Sequence, residues 1–203
     1  VTDDEDFAGK CYNFHTPTGH KPGVPSGRGA NFRLTEFQAG LLLAQISRLD
    51  AQVRTRDANA AHLSALLLKI PGITPARFTT GCTRSAYHAY LLRYDKDHFA
   101  GLPRTKFLQA LAKENIPVSS MYTPLNTSAH VTAIASNQHY QRIYGKTAMA
   151  RWAERNRCPV NDRLCEEAFR ISHIKLLGDR TEMERIAEAI VRIQKRAGEL
   201  ARG

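Results

Sequence analysis

Acidic residues are scarce in this sequence. Nineteen Asp and Glu stand against 29 Lys and Arg among 203 residues, a formal net charge of +10. Such an excess raises a nucleic-acid-binding reading. The patterns that would support it are missing, since no RNP, zinc-finger or basic-zipper signature occurs. The basic residues are spread along the chain, and many have acidic neighbours. Arg163 lies near Glu166 and Glu167, and Arg180 and Arg185 lie beside Glu182 and Glu184. The excess therefore reads as a solvated basic surface. Long apolar runs are absent too. None approaches the ~20 residues of a membrane-spanning helix, so no such helix is predicted. Cysteine is sparse: four occur, with no C-x-x-C pair. Cys158 and Cys165 with His173 fit no common zinc spacing and lack a fourth ligand, so no metal site is predicted. Cys165 falls in an apparent helix over 161–169, where a buried thiol packs as a small hydrophobe. These features point to reduced thiols and a cytoplasmic setting. No internal repeat or low-complexity stretch is visible.

What remains is ordinary for a globular chain: 42% hydrophobic and 24% charged residues, in a length that allows one domain with a substantial core. The most informative segment is Gly27-Arg-Gly-Ala-Asn-Phe-Arg33, running into Leu34-Thr-Glu-Phe-Gln-Ala-Gly40. Thr35 and Gln38 read as a capping box that opens a helix. Helix starts present unpaired N–H groups and partial positive charge, so the preceding loop suits an anion. Arg28, Arg33 and the Asn31 amide add donors. Gly23, Gly27 and Gly29 let the backbone approach a ligand closely, or serve a surface connector that merely turns.

The helix opened by Thr35 is predicted over about 35–68. Phe37, Leu41, Ala44, Leu49, Val53, Ala60, Leu63 and Leu67 recur along it at three-to-four spacing, with some drift in phase. Ile70-Pro-Gly ends it. At roughly 50 Å, it exceeds what a small domain covers, so it bridges two lobes or packs against a partner subunit. A capping box at Thr2 and Glu5 predicts a short helix over 3–14. Residues 15–33 are rich in proline and glycine and read as irregular. His15 and His20 in that stretch read as a metal pair or, more commonly, as solvent-exposed histidines. Strands are predicted over 87–94, 117–121 and 170–174, with a helix from Pro103 to Lys113 between the first two. Residues 122–150 are mixed, with a short helix around 140–149. A third capping box, Thr181 and Glu184, opens the last helix. Its apolar stripe is Met183, Ile186, Ile190, Ile193, Ala197 and Leu200. The fold class is α/β, a two-layer domain with a small sheet covered by helices.

Asn31-Phe-Arg-Leu-Thr-Glu-Phe-Gln-Ala39, followed by Gln45 and Leu49, closely resembles the N-Y-R-M-T-E-x-Q-A-A … A-Q-L-x-x-L signature of pyridoxal 5'-phosphate (PLP)-dependent sugar aminotransferases of the DegT/StrS family, fold type I. The Phe37, leucine-rich form is most similar to members acting on cyclitols and related rings. Weaker matches follow in the right order: Val1-Thr-Asp-Asp-Glu5, Ala86-Tyr-His-Ala-Tyr90, Asn115-Ile-Pro117, Tyr122-Thr-Pro-Leu125, Cys158-Pro-Val160 and Ile186-Ala-Glu-Ala-Ile190. The family often has glycine at Asn115, histidines at Met121 and Asn126, and alanine at Gly40. Glycine inside a helix costs about 1 kcal/mol, and it permits close helix approach.

This resemblance carries several implications. The lysine that holds PLP covalently lies, in the family, shortly before a run that ends at the Thr2-Asp-Asp4 match. Lys10 matches no family lysine. The expectation is a C-terminal portion, inactive alone and holding no PLP covalently. Residues 1–33 are then a remnant of the large PLP-binding domain with its active-site loop. Residues 34–203 are a linking helix plus the small domain. Asn31 is assigned to the PLP phosphate of a neighbouring subunit, and Arg33 to the same site or to an acidic substrate group. His88, Tyr122 and Asn126 are candidate substrate contacts; a histidine among strand aromatics is otherwise a hydrogen-bonded core or edge residue. The implied full-length enzyme is a homodimer built through the long helix and the Asn31–Arg33 loop. It moves an amino group from glutamate or glutamine to a keto-sugar or keto-cyclitol. The alternatives are a non-catalytic assembly domain of the same fold and, after it, a basic nucleic-acid-binding domain.

Overall fold

A computed structural model describes residues 2–15 and 35–202, so the Asn31–Arg33 loop, His20 and the His15 side chain lie outside the described residues. Along the chain run α1 (Glu5–His15), α2 (Glu36–Leu67), β1 (Ile73–Pro75), β2 (Ala89–Tyr94), α3 (Arg104–Lys113), β3 (Val118–Ser120), α4 (Ala129–Ile134), α5 (Gln138–Tyr144), α6 (Lys146–Ala150), α7 (Trp152–Arg155), α8 (Pro159–Glu167), β4 (Ala168–Ser172), α9 (Arg180–Lys195) and α10 (Ala197–Arg202). Two compact units divide them: Val1–Gln45 with Leu125–Arg157, and Ile46–Pro124 with Cys158–Gly203.

Local chemistry explains the helix starts. The box predicted for α2 forms in both directions. Thr35 N–H donates to Gln38 Oε1 at 2.8 Å, and Gln38 N–H donates to Thr35 Oγ1 at 3.4 Å. At α1 and α9 the predicted threonine caps are displaced by aspartates. Asp4 Oδ1 accepts from Phe7 N–H at 2.9 Å, and Asp179 Oδ1 from Glu182 N–H at 2.8 Å. A carboxylate is the stronger acceptor and also meets the positive end of the helix, so it outcompetes a nearby hydroxyl. Thr2 instead accepts from Asp4 N–H, and Glu184 reaches toward His62, 3.4 Å away.

The phase drift in α2 resolves into one strict repeat. Val53, Arg56, Ala60, Leu63 and Leu67 are its buried residues, spaced three and four apart. Leu42, Ile46 and Leu49 carry the same spacing toward the N-terminus but are exposed, as are Phe37 and Leu41, which lie off the repeat. The repeat of 3.5 is that of a helix seeking a helical partner. A Cβ at Gly40 would meet nothing within 4 Å.

In the second unit, four antiparallel strands are ordered β1-β2-β4-β3. Because β2 and β3 both pair with β4, they run parallel to each other on either side of it, joined by α3. The predicted strand–helix–strand unit is thus present with a fourth strand inserted. β2 and β3 are shorter than predicted, β2 beginning at Ala89 after Tyr87 adopts φ 46°. β4 keeps its predicted length but is shifted two residues earlier, beginning at Ala168 where α8 ends. Pro103 precedes α3 as its cap residue rather than opening it, and Asn115 at φ 59° turns the chain out of it.

Period-two alternation sends Tyr90, Leu92, Tyr94, Phe169 and Ile171 to one face, where residues of α2, α3 and α9 close a single core. Phe107 lies at its centre, stacked on Tyr94 at 4.3 Å between centroids and edge-on to Phe169 at 5.5 Å. Tyr94 donates its hydroxyl to Leu102 O at 2.8 Å, and burial raises its pKa. Tyr90, bonded to Ser64 at 2.7 Å, is pushed up to about 12 by burial despite that bond. In the first unit, the helix predicted over 140–149 is broken into α5 and α6 by Gly145 at φ 84°. Ser128 and Asn137 cap α4 and α5.

Candidate functional site

The face of the sheet turned away from the core carries the polar residues. The alternation that buries Tyr90 and Leu92 leaves Leu91 and Arg93 exposed on β2. The cross-strand register places Leu91 opposite Arg170, and Arg170 opposite Ser119. Two clefts open among these residues and their neighbours, one toward each end of the strands.

Tyr122, 71% exposed, lines the first cleft together with Met121, Arg93, Leu91 and, from α8, Leu164 and Cys165. Cys165 is half-buried and lines this cleft from α8 rather than packing in the core as predicted. Arg93 is held by Glu167, which accepts from its Nε at 2.9 Å and its Nη2 at 2.6 Å. Arg163 Nε donates to the same carboxylate at 2.6 Å. Burial pushes the Glu167 carboxyl up, but the hydrogen bonds and charges of the two arginines outweigh it. The group sits below its ordinary value.

The second cleft, about 350 Å³, holds His88, Ser119, Arg170, Ser172 and His173. His88 lies on the segment just before β2, not within the strand, and it is exposed. Its ring is nearly parallel to that of His173, 18° apart in plane with centroids at 6.5 Å. Arg170 Nε donates to Ser119 Oγ at 2.7 Å. The alternation of Ala168-Phe-Arg-Ile-Ser172 puts Arg170 on the open face without marking it as a binding residue. His173 could be joined to His88 only once the register Ala89 with Ser172 was known.

Of the other candidates, Asn31 and Arg33 lie outside the described residues. Asn126 belongs to the first unit, where it is half-buried with Oδ1 enclosed and unpartnered among the described residues. Among the described residues no group of three His, Cys, Asp or Glu side chains is placed to hold a metal ion, and no helix is long and apolar enough to cross a membrane.

The profile of the DegT/DnrJ/EryC1/StrS aminotransferase family matches residues 1–191. An L-glutamine:2-deoxy-scyllo-inosose aminotransferase of Streptoalloteichus tenebrarius is 32% identical over 207 residues, covering 95% of this chain and 46% of that protein. The protein of the same name from Streptomyces kanamyceticus is 32% identical over 202 residues, with 95% and 45% covered. Among solved structures, 3-amino-5-hydroxybenzoic acid (AHBA) synthase aligns with a TM-score of 0.58 over 97% of this chain and 49% of its own. At 24% identity that likeness concerns the fold. The chain spans about half the length of these relatives.

Proposed function

The chain belongs to the DegT/DnrJ/EryC1/StrS aminotransferase family, and from that membership we propose that it is the C-terminal part of a PLP-dependent aminotransferase acting on a keto-cyclitol or keto-sugar. The observation that carries the reading is the 32% identity, over nearly the whole chain, to aminotransferases named for L-glutamine and 2-deoxy-scyllo-inosose. Glutamine or glutamate is the proposed donor. The family match favours neither the assembly-domain reading nor the nucleic-acid one. Free thiols at Cys11, Cys82 and Cys165 suit a cytoplasmic setting.

PLP, when bound, carries the amino group from donor to acceptor. This chain's own contribution is positional. The first intrahelical bond of α2 runs from Ala39 N–H to Thr35 O, and the capping box takes the Gln38 N–H. The Glu36 and Phe37 N–H groups, three and four residues after Arg33 in the sequence, are left outside the ladder, where an anion is favoured. That start fits a phosphate held by Asn31, with Arg33 beside it or on an acidic substrate group. An amide neither gives nor takes a proton in catalysis, so Asn31 positions. His88 and Tyr122 line different clefts of the second unit, at opposite ends of the strands, and each is proposed as a substrate contact in the full-length enzyme, as is Asn126. Residues 1–33 are assigned to the large domain, and 34–203 to the linking helix and small domain.

The test uses the full-length protein. Asn31→Ala should weaken PLP retention by the worth of a charge-assisted hydrogen bond, roughly 1.5–3 kcal/mol. A subunit lacking the cofactor lysine, mixed with one lacking Asn31, should recover up to half the activity per heterodimer if the loop acts across the interface. Heterodimers that recover nothing would show the loop serving its own subunit. Absence of amino transfer from glutamine or glutamate to any cyclic ketone would sink the enzymatic reading.

A further inference from the structure

We propose that Arg170, His173 and His88 form a binding site for a small oxyanion, a carboxylate or a phosphate group, at the open end of the sheet's outer face. Three strands deliver the site. The pairing of Ala89 with Ser172 brings His88 beside His173, and the pairing of Ser119 with Arg170 sets the guanidinium next to them. In the resulting cleft of about 350 Å³ these donors stand beside Ala89, Pro117 and Val118, and no carboxylate of the described residues lines it.

The state of Arg170 separates this cleft from an ordinary polar surface. Four arginines of the same unit are paired with glutamates, Arg93 and Arg163 with Glu167, Arg192 with Glu114 and Arg196 with Glu199, whereas half-buried Arg104 spends its Nη1 on the Cys165 and Ala168 carbonyls. Arg170 is half-buried, yet its one side-chain hydrogen bond among the described residues is the neutral one from Nε to Ser119 Oγ at 2.7 Å. That bond fixes the plane of the guanidinium, and its two Nη groups have no partner among the described residues. A guanidinium fork presented this way matches the paired oxygens of a carboxylate or phosphate. Each imidazole adds a ring N–H, and the nearly parallel rings come from two different strand ends. Ser172 Oγ accepts from Ile174 N–H at 3.4 Å, fixing the turn on which His173 sits. If Arg170 served only to tie β3 to β4, a neutral donor to Ser119 would do as well. The charge is what the tie does not need.

The proposal is tested on this chain without cofactor, so its failure leaves amino transfer by the full-length protein untouched. Imidazole resonances of His88 and His173 would be followed by NMR at fixed pH and ionic strength. Inorganic phosphate would be added in one series and L-glutamate in another. Saturable shifts at these two histidines, with His130 and His139 in the other unit unmoved, are expected with at least one probe. The probe that saturates identifies the source as phosphate or amino-acid carboxylate. Arg170→Gln, which can still donate to Ser119, should weaken binding at least about tenfold. Arg170→Lys, which keeps the charge, should retain part of it. His173→Asn gives a second reading that leaves the β3–β4 tie alone. No saturation with either probe, equal shifts at the control histidines, or unchanged binding in Arg170→Gln and His173→Asn would overturn the site.

Discussion

Ile46→Gln is the sharpest test of the proposed dimer. Ile46 lies on the repeat that runs through Val53, Arg56, Ala60, Leu63 and Leu67, all buried, but it is itself 61% exposed. Fully burying such a side chain is worth about 1.5–3 kcal/mol, so covering its exposed part contributes about 1–2 kcal/mol. A twofold interface repeats every contact. Loss of the pair should then raise the dimer dissociation constant by about 30- to 700-fold, the equivalent of roughly 2–4 kcal/mol. Glutamine is as good a helix former, and the exposed position makes little contact in the single chain. The unfolding free energy of the monomer should therefore stay within about 0.5 kcal/mol. Leu43→Gln is the control: Leu43 is exposed but off the repeat, so it should weaken association less. Sedimentation equilibrium over a range of concentrations reads all three chains. A wild-type chain that stays monomeric at high concentration, or an association that Ile46→Gln does not change, would refute the assignment of this stripe to a subunit interface.

Phe107→Ala, at the fully buried centre of the core between Tyr94 and Phe169, should cost about 3–5 kcal/mol in denaturant unfolding. A loss below about 1 kcal/mol would mean the core collapses around the gap, against the packing described here. Glu167→Gln should cost about 1 kcal/mol at neutral pH, since Arg93 and Arg163 are both largely solvated. Its folded carboxyl lies below the ordinary 4.5, so the stability it contributes is present above about that pH and is lost as pH falls through the lower folded value. The acid limb of stability against pH should be flatter in the variant; parallel limbs would show that the pairing does not contribute.

Features set within a few residues are the ones the sequence announces. The capping box of α2 is such a case, because both partners lie within one turn. At α1 and α9 the same local logic leaves the cap ambiguous, since threonine and aspartate both qualify and their relative acceptor strength decides for Asp4 and Asp179. β1 went unpredicted because three residues ending in proline show no period. It exists through its pairing with β2, which is a long-range fact. α4 and α7 are too short for a 3.6-residue repeat to register, while α5 and α6 fall in the single helix predicted around 140–149. The phase of α2 was blurred because leucines fill nearly every side of its first turns. Burial alone separates the repeat from the rest.

The candidate site divides along the same line. His88 and Tyr122 were reached through resemblance, each as a single position. Neither Arg170 nor His173 was, because what makes them interesting is the company they keep across strands. A sheet covered on one face will alternate apolar and polar whatever its function, so an arginine on the open face of β4 carries no message by its type alone. Arg93 demonstrates this: it sits on the same face, and Glu167 satisfies it twice over. Arg170 differs in being half-buried and in its partner, a serine hydroxyl, which orients the guanidinium without neutralising it. Of two arginines on the same face, one exposed and paired and one half-buried and without a carboxylate partner among the described residues, the second is the one still able to bind an anion. That distinction exists in three dimensions and not in the sequence.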